Sequence, residues 1–345
     1  MDLKSKIKNL KFKKMKKKIL ITLAAGKTGF AAASQLLEEG YAVRIFVRRL
    51  EYNALMLKEK GAEVVFGTFD NEKALREALD GIESVYYCYP YKLGMPKDVA
   101  LFIKLAEEAK IKSVVFMGQR IAERTDTGSR LTNDIIESYK LLEQSRLNVV
   151  YFAPGYFADN VFVVAEMVLQ LGLMPNLYGK GKNPWISIGD MARCIVALLK
   201  NPEPYIGKKV FPTGPKSISS LEIAKIFSKV KGKRVWMFDI PEWMYLKSGI
   251  QIGKEYGFDK FAIVQGAFYN RGMKRNHFDI EPTNVVKELT GREPEDFETI
   301  TREYFSKSRY KERNFKNWWD AFVRFNTLPF VKIPSKKERS MLNGN

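Results

Sequence analysis

Residues 18–49 read KILITLAAGKTGFAAASQLLEEGYAVRIFVRR. The apolar run 19–25 breaks into a turn carrying Gly26 and Gly29, a helical stretch follows over 30–39, Gly40 stops it, and a second apolar run fills 42–47. This succession predicts a parallel βαβ unit. In such a unit the first turn aims backbone N–H groups from a helix N-terminus, where the helix dipole favours an anion such as a pyrophosphate.

Outward from this unit the alternation repeats. Helices are predicted over 51–60, 71–79, 97–110 and 132–145, and strands over 63–66, 84–88, 113–117 and 148–152. After Pro154 and Gly155 the rhythm changes to a long apolar helix over 156–172, then a loop rich in Gly and Pro and a helix over 190–200. A short strand over 209–212, a helix over 219–230 capped within 217–220, a strand over 234–238 and a mainly helical remainder to 308 follow. The later pieces cannot all join the sheet. The pattern predicts an α/β fold, a doubly wound parallel sheet with a smaller, mainly helical C-terminal substrate lobe. The expected division is a basic tail at 1–17, a dinucleotide-binding domain at 18–155, a substrate-side lobe at 156–308 with segments returning to the first domain, and an aromatic and basic extension at 309–345.

The chain has 345 residues and a formal charge of +19, which at first suggests a nucleic-acid binder. Its location argues otherwise. Residues 1–18 carry nine Lys against one Asp and residues 301–345 carry eleven Lys and Arg against four acids, which leaves +4 for the body. No specific nucleic-acid binding is therefore expected. Cys88 and Cys194 fall in separate apolar segments and read as buried free thiols. The single histidine, His277, removes His-based triads and multi-histidine sites, and no metal site is expected. The lysine-rich start followed by an apolar run imitates a secretion signal, but Lys27 interrupts it and the second strand follows on schedule. We expect a cytoplasmic chain without a spanning helix, since no apolar run approaches the ~20 residues a membrane requires.

Gly26 and Gly29 fit the last two glycines of a GxxGxxG turn, with Leu23 where the first belongs. Either this is a phosphate cradle with Lys27 and Thr28 in reach, or it is a turn that packs closely. At the end of the second strand an acidic residue would accept from a ribose hydroxyl and select NAD, whereas Arg48 and Arg49 stand there. Their charge and fork geometry suit a 2′-phosphate, which favours NADP(H) over NAD(H), unless they are merely solvated surface arginines.

Further along, AEVVFGTFDNEKAL begins at Ala62, SRLNVVYFAPGYFADN at Ser145, ISIGDMA at Ile186 and LTGREPEDFETI at Leu289. In order and spacing these stretches resemble the NmrA-like branch of the atypical short-chain dehydrogenase/reductases, from residue 18 to about 307. The resemblance implies a Rossmann-type domain with a substrate lobe over the nicotinamide end of the cofactor. It implies Gly26, Lys27, Thr28 and Gly29 on the pyrophosphate, Arg48 and Arg49 on the 2′-phosphate, and Thr68, Phe69 and Asp70 by the adenine. Tyr89 and Pro90 would follow the ribose, Met117 and Gly118 the nicotinamide, and Pro154 to Phe157 the substrate cleft. Thr68 departs from the aspartate usual at its position.

A typical short-chain dehydrogenase carries Tyr-x-x-x-Lys on the helix after strand five, the lysine lowering the phenol's pKa. Here Tyr139 is followed four residues on by Glu143. The same spacing at Tyr178–Lys182, Tyr205–Lys209 and Tyr256–Lys260 falls in loops or beyond the sheet and reads as chance. No catalytic residue is assigned. Tyr89, Gln119, Tyr156, Phe157 and Asn160 are the candidates for contacting substrate, at the sheet edge where parallel α/β proteins bind ligands. Three readings remain: a reductase of a small carbonyl, quinone or conjugated apolar substrate, a non-catalytic NADP(H)-sensing regulator with a protein partner, and, from the ends alone, a basic-tailed membrane or nucleic-acid adaptor. The basic N-terminus, and the aromatic tail around Trp318, Trp319, Phe322 and Phe325, suit either packing on the body or peripheral membrane contact.

Overall fold

The computed structural model describes residues 17–123, 128–256, 258–275 and 280–343; residues 1–16 of the basic tail and His277 lie outside them. β1 (Lys18–Thr22) turns into α1 (Lys27–Glu38), and the alternation continues through β2 (Ala42–Val47), α2 (Tyr52–Glu59), β3 (Glu63–Phe66), α3 (Glu72–Leu79) and β4 (Ser84–Tyr87). Next come α4 (Met95–Glu108), β5 (Ser113–Met117), α5 (Arg130–Glu143) and β6 (Val149–Phe152). Beyond β6 lie β7 (Leu173–Asn176), β8 (Lys182–Asn183), α6 (Ile188–Lys200), β9 (Lys209–Val210), β10 (Ile218–Ser219), α7 (Ser220–Lys231) and β11 (Trp236–Asp239). The chain ends with α8 (Glu242–Tyr256), α9 (Lys260–Lys274), α10 (Val285–Thr290), α11 (Phe297–Lys307), α12 (Phe315–Thr327) and α13 (Lys336–Asn343).

Seven strands form one parallel sheet in the order β3-β2-β1-β4-β5-β6-β9. The strand period of two sends Leu20, Phe46, Val85 and Phe116 to the layer of α3, α4 and α5, and Ile19, Ile21, Ile45 and Val115 to the layer of α1 and α6. Each such side chain, once fully buried, contributes about 1.5–3 kcal/mol. The order reverses between β1 and β4, the crossover where open α/β sheets form their ligand crevice. Thr22 pins that point: Cys88 N–H donates to its hydroxyl at 2.8 Å, and the hydroxyl lies 2.8 Å from the Cys88 carbonyl.

The structure departs from the sequence reading in three places. β1 ends at Thr22 and α1 begins at Lys27, so Lys27, Thr28 and Gly29 form the first helical turn instead of preceding it. The stretch 156–172 is not one helix. Phe157 bridges to Ile186, and two backbone hydrogen bonds between Tyr156, Ala158 and Ile186 hold its start extended. Short 3-10 turns and a wide turn at Met167–Leu171 follow, in a segment whose β-branched Val161, Val163, Val164 and Val168 disfavour a regular helix. Two minor sheets also appear that the sequence did not reveal as pairings, β7 with β11 and β8 with β10.

The lobe is cored by Phe162, Phe227, Phe297 and Phe305, whose rings meet at centroid distances of 5.3–6.4 Å. The extension packs on it. The Gln170 amide donates to the Tyr310 and Glu312 carbonyls, Arg324 pairs with Glu166 at 3.2 Å, and Ala321 and Leu328 are buried. Cys88 and Cys194 are free and buried.

Candidate cofactor and substrate site

The turn after β1 is built around Leu23, whose φ of +49° lies in the left-handed region. A non-glycine residue there costs about 1–2 kcal/mol. The conformation is held because the Leu23 carbonyl accepts the Gly26 N–H at 2.9 Å, and the Asn53 side-chain amide donates to the Ala25 carbonyl at 2.9 Å. Gly29 is required by space, since a Cβ would lie 2.6 Å from the Leu23 carbonyl oxygen. Gly26 forms the N-cap with an extended backbone, no side chain caps α1, and its first turn holds no acid. The first-turn amides and the positive end of the dipole are thus open to an anion.

The side chains of the turn have other partners. Thr28 is buried and accepts from the Tyr86 hydroxyl at 3.0 Å, so its hydroxyl faces β4, and Lys27 pairs with Asp159 at 2.8 Å. At the end of β2, Arg48 is exposed and enters no ion pair among the described residues, whereas Arg49 is held by Glu51 at 2.7 Å. After β3, Thr68 and Asp70 are exposed, and a hydrogen bond from Thr68 holds the Asp70 carboxyl below its ordinary range. Phe69 is buried against Phe46, Tyr87 and Tyr89.

Past β4, the Tyr89 hydroxyl donates to Asp98 at 2.7 Å, and Asp98 also pairs with Lys92 at 3.0 Å; Pro90 is half-buried. Past β5, Met117 is half-buried and Gly118 leaves room for Tyr139: a Cβ at 118 would overlap the Tyr139 hydroxyl. That hydroxyl is buried, with the Gln119 backbone N–H facing it short of a completed hydrogen bond. Lys209, from the neighbouring β9, sits 5.4 Å above the Tyr139 ring and pairs with Glu123, so the cation meets the ring face and not the hydroxyl. Pro154 and Gly155 follow β6, Phe157 is half-buried at the Ile186 bridge, and the Asn160 carbonyl accepts from Tyr178 at 3.0 Å.

A cavity of about 200 Å³ opens beside these strand ends, walled by Tyr91, Tyr156, Tyr178, Trp185, Tyr245 and Tyr269. The Tyr156 hydroxyl is buried and has no hydrogen-bond partner among the described residues, and burial pushes its pKa well above the usual phenol value. Beside it Gln119 accepts from Thr132 at 3.0 Å and from Tyr269 at 3.3 Å, and Ser129 donates to Gln265 at 2.7 Å. This polar group ties α9 to the start of α5. Sequence reasoning missed Gln265 and Tyr269, which lie more than a hundred residues from their partners; the one signal was a glutamine on the otherwise apolar face of 261–267. The far wall of the cavity is α12, through Ala321, Arg324 and Phe325.

The structure thus gathers the turn, Arg48, the residues after β3 and β4, Gly118, Gln119 and Tyr156 along the C-terminal edge of one sheet. It turns the Thr28 and Tyr139 hydroxyls and the Phe69 ring away into packing. Among the described residues no group of His, Cys, Asp and Glu is arranged to hold a metal, and no helix is long and apolar enough to cross a membrane.

A parallel sheet with this strand order, whose crossover faces an uncapped and glycine-gated helix N-terminus, defines the Rossmann-type class of α/β proteins. Within it the chain belongs to the NmrA-like family, whose pattern matches residues 15–299. It is 25% identical over 218 residues to the NAD(P)H azoreductase of Xenophilus azovorans, a match covering 63% of this chain and 75% of that one. The fold is similar to that of the NADPH-dependent quinone oxidoreductase of Escherichia coli solved with NADPH, with TM-score 0.70 and 20% identity over 83% of this chain and 99% of that one. It is similar too to NmrA, a negative transcriptional regulator solved with NADP, with TM-score 0.69 and 14% identity over 87% of this chain and 100% of that one. α12 lies beyond the family match.

Proposed function

We propose that the protein is an NADP(H)-dependent reductase of a small, flat, apolar acceptor, a quinone or conjugated carbonyl compound. The site fits the cofactor. The open first turn of α1 suits a pyrophosphate, Gly29 lets that turn pack closely on Leu23 and Ala24, and the exposed Arg48 suits a 2′-phosphate. Two relatives by fold are solved with that cofactor. The nicotinamide, when bound, supplies the hydride.

The observation that carries the reading is Tyr156, which lines an aromatic cavity at the sheet edge and whose buried hydroxyl has no partner among the described residues. A buried donor without a partner is costly, and an acceptor oxygen would satisfy it. A phenol is protonated at neutral pH, and burial extends that state to higher pH, so Tyr156 serves as a hydrogen-bond donor that orients the acceptor. The surrounding rings exclude water and stack on a flat substrate. Two buried free thiols support a cytoplasmic setting.

The second reading, an NADP(H)-sensing regulator acting on a protein partner, draws on one observation: Tyr139 is packed into the core, so the usual phenol–lysine pair is absent. Titration with NADPH and NADH, then NADPH oxidation across quinone, azo and carbonyl acceptors, separates the two. Turnover with a quinone is expected. Tight binding with no turnover on any acceptor would overturn the reductase reading in favour of the regulator.

A further inference from the structure

We propose that the outward face of α12 docks the protein on an anionic lipid bilayer. α12 has two apolar faces where a surface helix needs one. Ala321, Arg324 and Phe325 turn inward and line the cavity. Phe315, Trp318, Trp319 and Phe322 recur at i, i+3, i+4 and i+7 on a different side, their rings in contact at centroid distances of 5.2–6.3 Å. Phe315 is 77% exposed, Trp319 47% and Phe322 38%, and Phe330, just beyond the helix, is 84% exposed. Among the described residues this stripe stays largely uncovered, with Trp318 alone half-buried, and an aromatic patch of this kind marks a surface that meets something.

The charges around the stripe select the partner. Lys311, Arg313, Lys316 and Lys332 are exposed and enter no ion pair among the described residues, and Asp320 is the one acid from 313 to 337. A second copy of a chain with formal charge +19 would be repelled from this face, whereas an anionic membrane supplies the complementary charge and accepts Trp and Phe at the headgroup boundary. No helix needs to cross the bilayer for this mode of binding.

Flotation of the full chain with phosphatidylcholine vesicles, with and without phosphatidylglycerol, tests the proposal. The full chain is expected on the anionic vesicles alone, with binding weakened as salt rises. Trp319→Ser combined with Phe322→Ser, both at exposed positions, is expected to keep the thermal melt and lower partitioning at least about tenfold. Lys311→Glu combined with Lys316→Glu is expected to lower it too, by a route independent of the aromatic rings. Failure of the full chain to float on anionic vesicles would overturn the proposal, as would undiminished flotation of both variants. So would light scattering showing a dimer that the aromatic variant dissolves, which would assign the face to a second copy.

Discussion

Lys27, in the first turn of α1, and Asp159, in the turn after β6, form an ion pair at 2.8 Å that ties the two segments together at the C-terminal edge of the sheet. Lys27 is therefore already neutralised where an incoming pyrophosphate would use it. Asp159→Asn should free the ammonium and tighten NADPH by about two- to fivefold, the size of a partly exposed pair. The gain should shrink with added salt. Calorimetry at low and high ionic strength measures both; unchanged affinity at low salt would count against Lys27 facing the cofactor.

The two arginines after β2 should differ. Arg48 enters no ion pair among the described residues, while Glu51 holds Arg49. Arg48→Ala is expected to weaken NADPH by roughly 10- to 100-fold, the worth of charge-assisted hydrogen bonds, and to leave NADH unchanged. Arg49→Ala should have a smaller effect. Equal losses for both cofactors would remove Arg48 from the 2′-phosphate.

Two tyrosines on the same side of the sheet should also separate. Tyr156→Phe removes the hydroxyl in the cavity and is expected to lower kcat/KM for a quinone by roughly 10- to 100-fold, with NADPH affinity retained. Tyr139→Phe removes a hydroxyl packed against Gly118 and should leave turnover within about twofold, with stability unchanged or slightly raised. Steady-state kinetics on both variants decides. Loss of turnover in Tyr139→Phe would restore to that residue the role its sequence position suggests.

Alkaline pH should loosen the fold from its thiols. Burial pushes Cys88 up to about 11 and Cys194 up to about 12, against an ordinary value of 9.0. The unfolded chain releases these protons first, so their contribution is complete below pH ~9 and is lost as pH rises through the folded values. Each thiol should cost on the order of 2 kcal/mol of stability over that range. Urea unfolding from pH 7 to 11 should show the decline, and both thiols should resist a disulfide reagent at pH 8 until denaturant is added.

Much of the sheet was legible because its strands are apolar runs buried on both faces, broken by glycines that only a turn explains. The turn itself was half legible. Position 23 stood out for lacking glycine, but only the structure shows that Leu23 keeps the left-handed backbone and that Asn53 braces it. Thr28 illustrates the limit: its place near the turn was readable, whereas its direction depends on Tyr86, 58 residues away. The lobe was least legible. Its sheets are two to four residues long, and its cavity draws walls from Tyr91 to Leu328, so the pattern within any one segment carries little of it.

α12 is a partition one helix thick, on the order of 10 Å, with the cavity on one side and solvent on the other. Occupancy of the two sides is therefore linked. If anything bound outside favours one seating of the helix, it alters the affinity of the cavity, and a molecule in the cavity alters the outer affinity by the same factor. The Arg324–Glu166 pair, at 3.2 Å and spanning from partition to lobe, is one contact that such a change of seating would alter.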